Sequence, residues 1–258
     1  MSHANAPKPA ASFYDALAEG YDAMTDFASR TARAERFVTD LLDKCSIPAE
    51  EAADVGCGTG AYTLALARVG VQAVGLDPSP EMIHQARGNA SRSEQANVRF
   101  VQAGLADVAT VAGTPLDVVI CMGNTLPHVL TDDDLRVGLA AAHRSLRRGG
   151  ILALQLLNYE RILANRERIV SIDTQAGESF VRFYDFLPDG LVSFNLLRFP
   201  QAGGTHSLSS VLLRPYGQAE LAIFLAEAGF GAAASFGSLS LAPFDLAHSE
   251  TLLLVAEA

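Results

Sequence analysis

The sequence predicts a doubly wound α/β fold carrying a small antiparallel β insertion, and three observations lead to it. Short apolar runs ending in Gly or Asp alternate with helical patterns as far as Asn158, the way strand–helix–strand units of a parallel sheet read. A glycine-dense turn, Asp54-Val55-Gly56-Cys57-Gly58-Thr59-Gly60, joins the first run to the first of these helices. Beyond Asn158 the pattern becomes alternation broken by Pro188-Asp189-Gly190 and Ala202-Gly203-Gly204, which are hairpin signals.

The elements follow in order. Phe13 to Cys45 is mostly helical, with apolar Phe37, Leu41 and Leu42 among charges, and is expected to cap one end of the domain. Strands are expected near Ala52–Val55, Gln72–Leu76, Val98–Gln102, Asp117–Met122 and Ile151–Leu157. Helices near Tyr62–Val69, Pro80–Ala90 and Asp132–Arg147 separate them, and Gly149-Gly150 stops the last before a buried strand begins. Ser179–Phe186, Leu191–Phe199 and Ser207–Arg214 alternate or nearly alternate, giving the insertion three strands. A helix at Gln218–Ala228 and strands around Ala232–Leu239 and Glu250–Val255 close the sheet. The resulting division is 1–45 as a helical cap or lid, 46–160 and 217–258 as the α/β core, and 161–216 as the insertion. The first dozen residues are candidates to order over the site.

Composition narrows the function. A chain of 258 residues, 49% hydrophobic, can bury a core large enough for an enzyme. Its net charge of −10 repels phosphate backbones and anionic lipid, so neither nucleic acid nor a membrane is an expected partner. Cys45, Cys57 and Cys121 form no Cys-x-x-Cys pair and have no zinc-like His spacing. They read as free thiols, and no metal site is expected. Without a signal-peptide pattern or an apolar run long enough for a membrane span, a cytoplasmic protein is expected.

Glycines at the bend from Asp54 to Gly60 let the backbone turn sharply and approach a ligand with no Cβ in the way. The next strand ends at Asp77, where a carboxylate can accept both hydroxyls of a ribose. Two cofactors suit this arrangement. Gly56-x-Gly58-x-x-Ala61 satisfies the dinucleotide fingerprint, with Asp77 as the ribose acid. Two details favour S-adenosylmethionine: Asp54, two residues before the first glycine, can answer a cationic ligand, and Gly60 opens the turn for an amino-acid moiety.

With those residues in place, the chain resembles a class I S-adenosylmethionine-dependent methyltransferase from about Tyr14 onward. The resemblance implies a Rossmann-like sheet of seven strands with the last antiparallel. It also implies that Asp54 meets the methionine end of the cofactor, directly or through water, that Asp77 grips the ribose, and that Met82 packs near the adenine. Pro78 and Met122 are expected as further cofactor contacts with Gly56, Gly58 and Gly60. Val98 to Asp107 is similar to the family's adenine-binding strand end, but Gly104 stands where an Asp or Asn is usual. Adenine recognition then falls to backbone groups around Gly104 and Leu105, or to Asp107.

A narrower likeness lies in Val119-Ile-Cys-Met-Gly-Asn-Thr-Leu-Pro-His128, which resembles the Cys-Leu-Gly-Asn-Ser-x-x-His stretch of glycine N-methyltransferases. Ser29-Arg30-Thr31-Ala32 and Asn158-Tyr159-Glu160-Arg161-Ile162-Leu163 match in the same order. The likeness gives Arg30 the cofactor carboxylate, against the alternative of a solvated face shared with Arg33 and Arg36. It lays Tyr14 and Tyr21 over the cofactor, although their spacing of seven also suits one apolar helix face. Those enzymes carry an arginine just before the Asn-Tyr pair to bind the substrate carboxylate, whereas this chain has Leu157. Leu157 cannot ion-pair, so the acceptor is expected to be less anionic than glycine and to sit in a more apolar pocket.

The function expected on this resemblance is methyl transfer from S-adenosylmethionine to a small-molecule acceptor, at nitrogen first and oxygen second, with S-adenosylhomocysteine as product. Asn124 is expected to accept an amine N–H, and His128 to take the proton or orient the acceptor. The alternative for His128 is an imidazole packing the helix that follows. Cys57 and Cys121 read as small packing residues. Arg182, Tyr184 and Arg214 either line the acceptor pocket or pack within the insertion. An NAD-dependent oxidoreductase and a non-catalytic S-adenosylmethionine sensor are the competing classes.

Overall fold

A computed structural model describes residues 7–175 and 177–258. Three helices come first, α1 (Ala10–Asp15), α2 (Ala18–Thr25) and α3 (Phe27–Leu42). Asp26 divides the last two by taking a left-handed φ of 51°, and its carboxylate accepts the Ser29 N–H that opens α3. The alternating section gives β1 (Glu51–Val55), α4 (Ala61–Arg68), β2 (Gln72–Asp77), α5 (Pro80–Arg92), β3 (Val98–Gln102), α6 (Val108–Ala112), β4 (Leu116–Cys121), α7 (Asp132–Ser145) and β5 (Leu146–Leu157). The insertion contains α8 (Tyr159–Asn165), β6 (Ile169–Gln175), β7 (Glu178–Phe186), β8 (Val192–Pro200) and β9 (Ser207–Leu213). Then come α9 (Gln218–Ala228), β10 (Ala234–Phe236) and β11 (Thr251–Glu257).

The large sheet has seven strands in the order β10-β11-β5-β4-β1-β2-β3, and β11, the last in sequence, is antiparallel to both its neighbours. Successive residues of β4 serve opposite faces. Val119 and Cys121 pack with Leu135 and Leu139 of α7 and Leu225 of α9, while Val118 and Ile120 pack with Phe37 and Leu41 of α3 and Leu66 of α4. Helices thus cover both faces, which is why β4 is buried along its whole length and reads as an unbroken apolar run from Val118 to Cys121. The strand order reverses between β1 and β4, and a crevice at such a switch point is where open α/β sheets bind ligands.

The insertion forms a separate antiparallel sheet, β6-β7-β8-β9. Its Phe180, Leu196 and Val211 pack on Phe13 and Leu17, so α1 and the start of α2 lie against it. Two side-chain bonds tie the same helices to the core: Ser79 Oγ donates to Asp15 at 2.5 Å, and Asn89 Nδ2 donates to Asp22 at 2.8 Å.

The structure departs from the sequence reading in several places. The helix expected to run to Arg147 ends at Ser145, because Leu146 already pairs with Leu116 as the first rung of β5. Gly149 and Gly150 lie inside that strand at a register shift. A Cβ on Gly150 would come within 2.8 Å of the Asp117 carbonyl, so the pair allows a close backbone approach instead of stopping a helix. The insertion has a fourth strand, β6, whose Ile169-Val170-Ser171-Ile172 does not alternate because it is an exposed edge with a bulge. The strand expected over Ala232–Leu239 is only Ala234–Phe236. Of the dozen residues considered as a lid, 1–6 lie outside the described residues; Lys8 pairs along β9 beside Val211, and Ala10 reaches the rim of the site.

Candidate active site

Asp54 is the fourth residue of β1, and its side chain points into the buried base of the loop that follows. Thr63 Oγ1 donates to it at 2.8 Å. Burial pushes its carboxyl up to about 7; the nearby charge of Asp77 adds to the shift, and the Thr63 bonds and Arg30 oppose it. The three glycines of the loop do three different things. Gly56, at φ +70°, lies against Thr125, and any Cβ there would overlap that side chain. Gly58, at φ +54°, has nothing within 4 Å of the missing Cβ and faces open space. Gly60, at φ +91°, packs against Phe100 and Ala86 and lies away from the cavity, so it shapes the start of α4 rather than opening the turn to a ligand.

Asp77 ends β2 on the other side of the loop. Its Oδ2 accepts the Gly58 N–H at 2.8 Å and its Oδ1 accepts the Ser79 N–H at 2.9 Å. Burial raises its pKa, and these backbone bonds work against the rise. Each oxygen keeps a further lone pair for a ligand hydroxyl.

A cavity of about 320 Å³ opens between these two acids. Of the residues singled out by sequence, Tyr14, Tyr21, Arg30, Asp54, Gly56, Gly58, Asp77, Pro78, Met82, Met122 and His128 line it. Arg30 is half-buried there rather than on a solvated face: Nη1 donates to Thr25 Oγ1 at 2.7 Å, and its guanidinium stacks 5.2 Å from the Tyr21 ring. Gly104 and Leu105 do not reach this cavity. Leu105 is buried against Gly138 of α7, and the Asp107 carboxylate is turned back to accept the Gly104 N–H at 2.9 Å. Residues that sequence reasoning missed are Arg33, Tyr62, Thr125 and Leu239. Arg33 lies one turn beyond Arg30, a spacing that could have flagged it. Leu239 arrives from the segment between β10 and β11, where no motif pointed to it.

A second cavity, of about 190 Å³, shares Tyr14, Tyr21, Gly123 and His128 with the first. Asn124 and Leu157 line this one. Asn124 follows Gly123 in a left-handed conformation, φ 67° after φ 70°. Its Oδ1 accepts the Leu157 N–H at 3.1 Å and its Nδ2 donates to the Tyr159 hydroxyl at 2.8 Å. The amide expected to orient an amine is therefore engaged on both sides in holding the end of β4 against that of β5. Arg182 and Tyr184 line the cavity as well, but Arg182 is ion-paired with Asp173. Arg214 lies elsewhere, paired with Asp132 and Glu220.

His128 stands at the boundary of the two cavities, its Nε2 3.0 Å from the Tyr14 hydroxyl. Burial lowers its pKa to about 4 against a weaker contribution from the Leu212 backbone, and burial raises that of Tyr14. Both groups are neutral at pH 7. Among the described residues no cluster of His, Cys, Asp or Glu is placed to hold a metal, and no helix is long and apolar enough to cross a membrane.

The methyltransferase-domain family matches residues 52–150, which contain the glycine loop, Asp77 and the Asn124–His128 segment. A glycine/sarcosine N-methyltransferase of Aphanothece halophytica is 27% identical over 194 residues, 75% of this chain and 72% of that protein. Another, from Parasynechococcus marenigrum (strain WH8102), is 28% identical over 233 residues, 87% of this chain and 78% of that protein. The structure of the CcbJ methyltransferase from Streptomyces caelestis superimposes with a TM-score of 0.82 at 23% identity, covering 95% of this chain and 97% of that one. Residues 52–150 thus form a methyltransferase domain, and the chain is an S-adenosylmethionine-dependent methyltransferase.

The residues present in this methyltransferase suit the cofactor of its class. Gly58 faces the open space of the cavity with no side chain in the way, Asp77 offers two oxygens where a vicinal diol can bind, and Arg30 and Asp54 bring a cation and a carboxyl group to the same cavity. Met82 and Met122 supply polarizable apolar wall between them.

Proposed function

We propose that this methyltransferase methylates the nitrogen of a small amine that carries no carboxylate beside that nitrogen. The observation behind this reading is Leu157, which lines the second cavity where a glycine-type site needs a cation, while Arg182, the cation nearby, is held by Asp173. Transfer to nitrogen is supported by the relatives, both glycine/sarcosine N-methyltransferases. The three cysteines without disulfide partners support a reducing cytoplasmic setting.

Asp77 would hold the ribose of S-adenosylmethionine and Asp54 and Arg30 its amino-acid end, and the bound cofactor would supply a methyl group already activated by its sulfonium. The chain's own task is then to position the nucleophile and exclude water. Gly123 and Asn124 fix the floor between the cavities through Gln155: its Oε1 accepts the Gly123 N–H at 2.7 Å, and its carbonyl accepts the Asn124 N–H at 3.2 Å. The neutral Tyr14–His128 pair presents hydrogen-bonding atoms at the boundary without a fixed charge, which suits orienting an uncharged amine lone pair. His128, with its pKa lowered to about 4, is a neutral imidazole at pH 7, with one ring nitrogen protonated and the other free to accept.

The test is a methyl-transfer assay on the purified protein with S-adenosylmethionine, comparing glycine and sarcosine with primary amines that lack a carboxylate. At least a hundredfold preference in kcat/KM for the amines is expected. Robust methylation of millimolar glycine would overturn the reading.

A further inference from the structure

Resting on the amine reading above, we infer that the acceptor site continues outward as an apolar channel between α2 and the β7–β8 hairpin, and that the acceptor is an amine with an apolar tail lying in it. A groove of about 210 Å³ adjoins the second cavity, and Leu17 and Met24 line both. The opposite wall continues rung by rung. Tyr184 faces Phe194, and Arg182 faces Leu196, along the cavity; the next rung, Phe180 opposite Arg198, lines the groove. The groove ends at the half-exposed ion pair of Arg198 with Glu178, where a tail would meet water.

Gly20 is the second observation. It sits in the first turn of α2, between Leu17 and Met24, and it lines the groove. Its φ is not left-handed, and a Cβ there would meet nothing within 4 Å, so neither backbone geometry nor packing against the chain calls for glycine. Alanine would favour the helix. The open space in front of Gly20 is the groove, and glycine keeps the channel at full width where α2 comes over the sheet.

The test uses butylamine and octylamine, titrated calorimetrically into protein saturated with S-adenosylhomocysteine. Four added methylenes at roughly fourfold each set a ceiling of about 250-fold in affinity. In the wild type octylamine is expected to bind more than about 30-fold tighter than butylamine. Gly20→Phe, which puts a ring into the groove, should cut that ratio below about fivefold, and Gly20→Ala should give an intermediate ratio. A gain in melting temperature with S-adenosylhomocysteine checks that each variant is folded; Gly20→Ala keeps the test standing if the larger substitution is not. A wild-type ratio near unity, or an unchanged ratio in both variants, would refute the channel while leaving the amine reading intact. Failure of butylamine to bind or accept a methyl group would instead remove the amine reading and the channel with it.

Discussion

The Tyr14 hydroxyl and His128 Nε2 meet at 3.0 Å across 114 residues of sequence, at the wall common to the two cavities. The contact joins α1 to the turn after β4, so the helical cap supplies half of the pair. Tyr14→Phe removes one hydrogen bond and keeps the ring, which packs edge-on against Phe13 at 5.2 Å between centroids. A single bond to a neutral partner is worth about 1 kcal/mol. Steady-state kinetics should show kcat lowered about fivefold, and calorimetry should show affinity for S-adenosylhomocysteine within about twofold of the wild type. An equal loss in both would make Tyr14 a cofactor contact only.

Asp54 and His128 oppose each other in the pH dependence of stability. Asp54 has its native pKa raised from 3.8 to about 7, so the native state keeps a proton that the unfolded chain releases, and its contribution is lost as pH rises through that window. His128 has its native pKa lowered from 6.5 to about 4, so its contribution is lost as pH falls through nearly the same window. Melting temperatures measured from pH 4 to 7.5 separate the two. Asp54→Asn minus wild type should rise with pH, and His128→Gln minus wild type should rise as pH falls. Flat differences for both would mean that neither group titrates abnormally.

Gly56 and Gly58 are both left-handed, yet their substitutions should fail in different ways. Gly56→Ala adds a left-handed penalty of about 1–2 kcal/mol to an overlap with Thr125, for a total of about 3 kcal/mol. Gly58→Ala carries the backbone penalty alone, because nothing lies within 4 Å. Denaturant unfolding should therefore show the larger loss at Gly56. Titration with S-adenosylhomocysteine should show the larger loss of affinity, per unit of stability, at Gly58.

Asp77→Ala separates cofactor binding from folding. Burial already disfavours its charge, and the backbone bonds from Gly58 and Ser79 offset part of that cost. The net effect on the melting temperature of the free protein should be a few degrees at most. The stabilisation given by S-adenosylhomocysteine should disappear, and a retained shift would move the ribose contact elsewhere.

How far the sequence could be read depended on the range over which each signal acts. The loop from Asp54 to Gly60 and the acid at Asp77 are local patterns closed by neighbouring strands, so spacing alone located them. Gly60 shows the limit: it completes a Gly-x-Gly-x-Gly pattern, but what it faces, Phe100 and Ala86, comes from other elements. Asn124 was legible as a site residue and not as a tether, because its partners Leu157 and Tyr159 reach it only through the β4–β5 pairing. The edge strand β6 escaped notice because a bulge and exposure remove the alternation by which a half-buried strand is recognised.

Leu157→Arg tests the link between that tether and substrate choice. The Leu157 N–H bonds to Asn124 Oδ1, so replacing the side chain leaves this backbone contact in place while adding a cation to the second cavity. A guanidinium can hold a carboxylate through two parallel bonds, worth about 1.5–3 kcal/mol each when charged. The variant should gain at least tenfold in kcat/KM for glycine and lose a similar factor for amines without a carboxylate, read from methyl transfer on paired substrates. Burying an unpaired arginine should also lower the melting temperature, and millimolar acetate should restore part of it, since the cation is then neutralised in place. No gain on glycine, with the acetate effect present, would mean that the cation is formed but lies out of line with the nitrogen that accepts the methyl group.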